Sequence, residues 1–405
     1  MTAAVTILSL FTALCFLYQL LYLILPLFKQ PKIPESPPRT RFAVLIAARN
    51  EEAVLPELLS SIAAQDYPGN LYQTFVLADH CTDGTAAVAE QSGAVVYTRS
   101  DPNGVGKGYA LSALLQHMKE DGYLSLFDAF LIFDADNLLS EDYLSQMNDL
   151  ALLGYDAFCG FRASKNPEDN WLSGGYALWY LHDSVHLNAS RMALGRQCMV
   201  SGTGFGFSAS LLETMQLWPF HTLTEDLEFN HFCAVRGVRV GYTPRAVLYD
   251  EQPVSFAVSW WQRTRWLQGA IQVSNLYRKR LLGSILHGSW AAFECWTLGL
   301  DGAVLSALTA ALCLIRSFLT KPPLTVTLSA AVFTWLSLFL TGAMTLLLAG
   351  KRSGLSGRTV LRTLLTFPFF MLTYLPIAVY AVFAKRQWKP ILHSRAMNLQ
   401  QMRSR

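Results

Sequence analysis

Residues 74–91, TFVLADHCTDGTAAVAEQ, hold one repeat of the pattern that decides the fold. The apolar run 74–78 reads as a buried strand and ends on an acid, Asp79. A polar turn follows, in which Asp83 is placed to cap a helix beginning near Thr85, since Asp is a good N-cap. The pattern recurs outward in both directions. Residues 42–47 (FAVLIA), 94–97 and 130–133 (FLIF) read as further strands, with helical patterns over 53–64 and 109–118 between them. Strands alternating with helices predict an α/β fold, a mostly parallel sheet covered by helices on both faces. Such sheets bind ligands at the carboxyl ends of their strands. Arg49-Asn50-Glu51, Asp79 and Asp134 fall there.

The flanks have a different composition. Overall 52% of the chain is apolar and 15% charged, against roughly 25% charged in soluble proteins. Residues 1–28 carry no charge at all, and a span needs about 20 apolar residues. A cleaved signal peptide would need a basic start and a small-residue cleavage site, so an uncleaved anchor is expected. Lys29, Lys32, Arg39 and Arg41 follow it, which puts the N-terminus outside and the next domain in the cytoplasm. Further apolar regions run over 290–315, 324–350 and 363–384. The organisation expected is an anchor (1–28), a proline-rich linker (29–40), an α/β domain (41–250), amphipathic interfacial helices (251–288), an α-helical membrane domain (289–384) and a basic cytosolic tail (385–405). The linker stretch QPKIPESPPR holds four prolines and favours an extended spacer.

Two features of the membrane region need an explanation. Glu294 and Asp301 lie in the second apolar region, and intramembrane acids by default mark function or pairing. Seven residues apart, they share a helix face and could line a polar path; alternatively membrane entry begins near Trp296, leaving Glu294 at the interface. The tail holds Lys385, Arg386, Lys389, Arg395, Arg403 and Arg405 without an acid, yet four full spans would place it outside. An interfacial or re-entrant segment over 363–384, kinked by Pro368 and Pro376, with 360–367 a candidate, resolves the conflict. The net charge of +3 gives no ground for nucleic-acid binding. Seven cysteines without a CxxC pair predict neither disulfides nor structural zinc.

Four short segments carry the candidate chemistry. Asp134-Ala-Asp136 ends a strand, and extended geometry would turn both carboxylates toward one Mg²⁺ or Mn²⁺ ion; the other reading is a polar turn opening the next helix. Thr224-Glu225-Asp226 opens a helix, where acids are favoured by the dipole. Gln262-Arg-Thr-Arg265-Trp266 puts Gln262, Arg265 and Trp266 on one helix face. Arg265 suits phosphate oxygens, Trp266 a sugar ring, and an interfacial helix meeting headgroups fits as well. Ser201-Gly202-Thr203-Gly204 offers either close backbone approach or a tight turn, and Lys107 lies in a flexible, glycine-flanked loop.

In this order, between membrane segments, these motifs resemble the processive family 2 glycosyltransferases, among them cellulose, hyaluronan, chitin and poly-N-acetylglucosamine synthases. The resemblance covers roughly residues 42–269. It implies an inverting, metal-dependent transferase of GT-A-like fold in a bacterial cell membrane, with a UDP-sugar donor and a growing glycan as acceptor. Export through its own spans follows, with accessory export proteins conceivable. It further implies a donor site of Asp79 (at the nucleoside, usually uracil), Glu51, Lys107, Asp134, Gln262 and Arg265. Asp134 and Asp136 would hold the metal, Asp226 with Glu225 would be catalytic, and Gly202, Thr203 and Trp266 would face the acceptor. For Lys107 an ordinary exposed lysine, and for Asp226 simple capping, stand beside those roles. Single-sugar transfer to a membrane lipid is the alternative function, and a degenerate, non-catalytic scaffold a third.

Overall fold

The computed structural model describes residues 2–102, 104–320, 324–385 and 395–403. Among them, β1 (Phe42–Ala48), β2 (Tyr72–Asp79), β3 (Val95–Arg99), β4 (Ala129–Asp134), β5 (Leu138–Leu139), β6 (Ala157–Ser164), β7 (Phe205–Ser208) and β8 (Val240–Asp250) form one sheet in the order β3-β2-β1-β4-β7-β6-β8-β5. β1 is parallel to β2 and β4, β2 to β3, and β6 to β8. β7 runs against β4 and β6, and β5 against β8. This is the expected α/β fold, mixed but mostly parallel.

The strands read as apolar runs because both faces are covered. Ala43 and Leu45 of β1 pack with Phe75 and Leu77 against Leu111, Leu114 and Leu115 of the helix Lys107–Glu120. Val44 and Ile46, one residue out of step, pack with Val76 against Leu58, Ile62 and Leu144 on the helices Leu55–Ala63 and Tyr143–Leu152. Successive residues of a strand point to opposite faces, so a central strand needs apolar side chains at every position.

Two local expectations change. Lys107 is the first residue of a helix rather than part of a loop, entered through Gly106 at φ +135°. β4 stops at Asp134 and Asp136 lies in the turn after it, so strand alternation does not relate the two carboxylates. Of the two glycines around Thr203, Gly204 is demanded by packing: at φ +62° its Cβ would come 1.7 Å from the Leu248 side chain.

Among the described residues, four helical stretches are long and apolar enough to cross a membrane: Ala3–Leu27, Leu300–Thr320, Leu328–Ser353 and Gly357–Phe383. The region expected over 290–315 is divided. A short helix Trp290–Leu298 ends at Gly299 in extended backbone, and the longer helix Leu300–Thr320 follows. Gly357–Phe383 bends near Thr373. Pro376 there lacks the N–H that would reach back to Leu372. This last stretch touches the α/β domain and the long helix Phe256–Leu286 along its whole length. Thr359 Oγ1 donates to Glu168 (2.6 Å), Thr363 lies against Gly174, Arg263 donates to Thr373 Oγ1 (2.6 Å), and the Gln268 amide donates to Ala384 O (3.1 Å). In the tail, Arg395 donates its backbone N–H to Glu251 (3.0 Å) and pairs with Asp169 (2.5 Å). Arg386, Lys389 and Arg405 lie outside the described residues.

Both acids of the second apolar region are held by cations. Asp301 pairs with Arg278 (2.6 Å) and accepts from Ser274 (3.1 Å). Glu294 sits on the short helix ahead of the span, fully buried against the equally buried Arg191 (3.3 Å), whose guanidinium also donates to Asn188 (3.0 Å). Removing one partner of a buried pair leaves an uncompensated charge, which typically costs 3–5 kcal/mol. An Arg191→Met variant should therefore unfold at a markedly lower temperature, with a loss of about 3–5 kcal/mol. Adding Glu294→Leu should recover most of it. Equal melting of the single variant and the parent would contradict this account of the junction.

Candidate active site

The carboxyl ends of β1, β2 and β4 meet on one side of the sheet. Asn50, two residues past β1, and His80, directly after β2, both adopt left-handed backbone, at φ +55° and +56°. The loops they open are tied together. Thr82 N donates to Asn50 Oδ1 (2.8 Å), Glu51 N to Thr85 Oγ1 (2.9 Å), and Gly84 N to Glu52 (2.8 Å). Asp83 accepts from the backbone N–H of Thr85 (3.1 Å) and closes the turn; the N-cap of the helix Thr85–Gln91 is Gly84, without a side-chain cap, so Asp83 stands one residue ahead of the capping position expected for it.

A cavity of about 410 Å³ opens beside these ends. Glu51, Lys107, Asp134 and Asp136 form one wall, Gly202, Glu225 and Asp226 another, and Gln262, Arg265 and Trp266 a third. Ten residues singled out from widely separated segments thus line a single space. Asp79 and Thr203 do not line it. Asp79 is buried at the end of β2, bound to Arg99 (2.9 Å) and to the His80 ring (2.9 Å). Thr203 lies beneath Asp134, its Oγ1 accepting the Asp134 N–H (2.9 Å) and bonded to Asn137. The hydroxyl is thereby committed to fixing the end of β4 rather than offered to the cavity.

Charge is arranged in layers. The Lys107 ammonium rests on the Asp134 carboxylate and donates to Gly202 O (2.8 Å). A second pair lining the cavity is Arg162 with Asp250, from the ends of β6 and β8. Arg162 also donates to Ser201 Oγ (3.0 Å) and lies 3.7 Å from the Tyr180 ring centroid. Burial pushes the Asp250 carboxyl up to about 6, although Arg162 pulls the other way. Neither residue was singled out from the sequence. The one available signal was a lone arginine inside the otherwise small and apolar AFCGFRAS of β6.

Glu225 and Asp226 open the helix Glu225–Arg236. Gly202, at φ +75°, passes so close that a Cβ there would lie 3.5 Å from Asp226 Oδ2. Burial and then the adjacent Asp226 charge push Glu225 up to about 7. Burial raises Asp226 as well, against the Leu227 amide, Lys107 and Arg265. A carboxyl whose folded pKa is raised binds its proton more tightly folded than unfolded. Its contribution to stability is complete below the ordinary glutamate value and lost as pH rises through about 7. The parent should therefore melt at a lower temperature at alkaline than at mildly acidic pH, and Glu225→Gln should shrink that difference. An unchanged difference would contradict a buried, proton-retaining Glu225.

Gln262, Arg265 and Trp266 face the cavity from the long helix, while Arg263 points away into a ring of aromatics, 4.9 Å from Phe370 and 4.8 Å from Tyr374. Arg265 donates to Leu223 O (2.9 Å), tying this helix to the segment before Glu225. Trp266 meets Tyr176 edge-on at 5.9 Å. Gly269 lets this helix approach Thr224, since a Cβ there would come 2.3 Å from Thr224 Oγ1.

The site suits a divalent cation without caging one. Asp134 already holds a positive charge in the Lys107 ammonium, and the buried Gln262 Oε1 has no hydrogen-bond partner among the described residues. No cluster of three or more His, Cys, Asp or Glu side chains able to hold a metal occurs among the described residues. Magnesium is commonly held in this way, by one or two carboxylates with the remaining positions left to substrate phosphates and water.

Comparison with known proteins agrees with this geometry. Residues 37–269 match the family described as Glycosyltransferase like family 2. A beta-monoglucosyldiacylglycerol synthase of Synechocystis sp. is 24% identical over 241 residues, which are 58% of this chain and 49% of that protein. A poly-beta-1,6-N-acetyl-D-glucosamine synthase of Staphylococcus aureus is 24% identical over 236 residues, 56% of this chain and 54% of that one. The chain thus spans about half the length of these curated relatives. Mannosyltransferase PcManGT from Pyrobaculum calidifontis, solved with GDP-Man and Mn²⁺, shares the fold with a TM-score of 0.59 at 22% identity, covering 94% of this chain and 99% of its own. With more than half of its length matched and the fold shared, this chain belongs to glycosyltransferase family 2.

Proposed function

We propose that the chain transfers one sugar from a nucleoside-diphosphate donor, UDP-linked by resemblance, to a membrane-held acceptor, with inversion at the anomeric carbon. One observation carries the placing of the acceptor. Tyr180 and Trp266 line the cavity and also pack in the apolar cluster formed by Phe339, Leu346, Leu364 and Phe370 of the long apolar helices. An acceptor hydroxyl over Trp266 is therefore at the membrane surface. Asp134 and Asp136 would hold the divalent cation, which supplies charge neutralisation for the leaving diphosphate. Lys107 and Arg265 add donors to the same oxygens, with Glu51 and Gln262 beside them, and Asp79 stands at the next strand end for the nucleoside. Asp226 takes the proton of the acceptor hydroxyl as its oxygen bonds the anomeric carbon and the bond to the diphosphate breaks. Glu225 beside it is the carboxyl that burial and the Asp226 charge hold in its protonated form.

The lie of the last apolar helix supports a cytosolic site. A helix perpendicular to the bilayer could touch the α/β domain only at one end, whereas Gly357–Phe383 touches it or the long helix from Thr359 to Ala384. Laid along the interface, it leaves three crossings and returns the tail to the side of Glu251, where Arg395 is found. Single transfer to a lipid is favoured over polymer export because Glu294 and Asp301 are both engaged by arginines. Polymer synthesis is the second reading, supported by the match to a polysaccharide synthase.

The test is the purified chain in nanodiscs with magnesium, labelled nucleotide-sugars and lipid extract. The expected product is small, soluble in organic solvent and dependent on the extract. A long product digested by polysaccharide hydrolases would overturn single transfer. In the same assay Trp266→Ala should lower acceptor-dependent transfer about tenfold, the scale of a lost aromatic stacking contact. Slow donor hydrolysis should persist. Equal loss of both would remove Trp266 from the acceptor side.

A further inference from the structure

Each carboxylate of Asp134-Ala-Asp136 has a lysine in its surroundings, and the two lysines are held differently. Lys107 rests on Asp134 at the cavity wall. Lys165 is the residue after β6. Its backbone N–H donates to Asp250 O (2.8 Å), one step beyond the Ser164–Asp250 pairing of β6 with β8. Glu251, which follows Asp250, donates its own N–H to Asp136 Oδ2 (2.9 Å). Two backbone bonds thus gather Lys165, Glu251 and Asp136 at one place. Asp136 and Glu251 line the cavity and Lys165 does not. The lysine is 2% exposed, and its Nζ has no hydrogen-bond partner among the described residues.

A buried ammonium without a hydrogen bond is costly, so its surroundings must offset it. Burial holds Lys165 below its ordinary value, and the charges of Asp136, Glu251, Asp250 and Glu57 act in the opposite direction. Asp250 also answers to Arg162; Asp136 and Glu251 stand between Lys165 and the cavity. A positive charge fixed behind two carboxylates weakens their hold on a cation in front of them. It strengthens the attraction for an anion there.

We propose that Lys165 is a positioning residue for the metal site. As a fixed counter-ion behind Asp136, it denies the nucleotide-free site a divalent cation, so that the ion is held only once a nucleoside diphosphate adds its charge. Lys165 touches neither ion nor nucleotide and acts through Asp136 and Glu251. The proposal rests on the reading of Asp134 and Asp136 as the metal's carboxylates.

Mn²⁺ binding to the full chain in detergent, followed by electron paramagnetic resonance with and without UDP, tests this without turnover. The parent should bind Mn²⁺ weakly alone and much more tightly with UDP. Lys165→Met should tighten nucleotide-free Mn²⁺ binding on the order of tenfold and weaken metal-free UDP binding about threefold, opposite shifts because a positive charge is removed. A merely structural loss would weaken both. Lys165→Arg, which keeps the charge, should restore the parent's values. Melting temperatures show which variants are folded, and Lys165→Gln, with a polar head for the same pocket, replaces Lys165→Met should that variant fail to fold. Unchanged or weaker Mn²⁺ binding in a folded, uncharged variant overturns the proposal. So does a parent that holds Mn²⁺ as tightly without UDP as with it. Asp136→Asn separates the two levels of failure. If it leaves Mn²⁺ binding with UDP unchanged, the assignment of Asp136 to the metal falls and this proposal with it. If it abolishes that binding while the Lys165 variants change nothing, only the role of Lys165 falls.

Discussion

Asp226→Asn is expected to leave donor and metal binding intact while transfer falls by the roughly 10²–10⁴-fold that a positioned acid–base group supplies. The amide preserves the shape of the carboxylate at the mouth of the helix Glu225–Arg236 and can no longer accept the acceptor's proton. Burial makes this residue suited to the task, because it raises the carboxyl above its ordinary value and so makes the ionised form a better base. Rapid-quench measurement of one turnover, with nucleotide affinity measured separately, isolates the effect. A variant that turns over within a few-fold of the parent would mean that Asp226 is a helix-terminal anion and nothing more.

Asp134→Asn should fail in a different way. Its carboxylate is the exposed member of the pair and the one that holds the Lys107 ammonium. Loss of an outer-shell partner alone lowers metal affinity 10–100-fold, so loss of a ligand should cost at least about 100-fold. Metal-free nucleotide binding should survive or improve, because Lys107 is released from its carboxylate. Metal should then add nothing to it. Titrating UDP with and without magnesium reads both quantities. An undiminished magnesium effect in the variant would remove Asp134 from the metal site.

Much of this site was legible because its parts are local. β1, β2 and β4 announce themselves as apolar runs ending in polar residues, since the sheet is covered on both faces there. Gln262, Arg265 and Trp266 share a face by helical spacing alone, and that face is on the cavity. The pair Arg162–Asp250 was hidden because its members are 88 residues apart and meet only through the β6–β8 pairing. β7 is a four-residue strand, FGFS, running against its neighbours, too short to show a period. Thr203 was misplaced for a related reason: a hydroxyl between two glycines looks offered to a ligand, and only the tertiary bond to Asp134 N shows it committed. The contacts of the last apolar stretch were equally beyond composition, since its bonds to Arg263, Gln268 and Glu168 join residues far apart in the chain.

The measurement that bears most directly on the whole account is a structure of the full chain with Mg²⁺ and UDP bound. The account predicts the metal within roughly 2.1 Å of an oxygen of Asp134 or Asp136, the diphosphate beside Lys107 and Arg265, and the uracil toward Asp79. UDP bound outside this cavity, or in it with magnesium touching neither aspartate, would contradict the account.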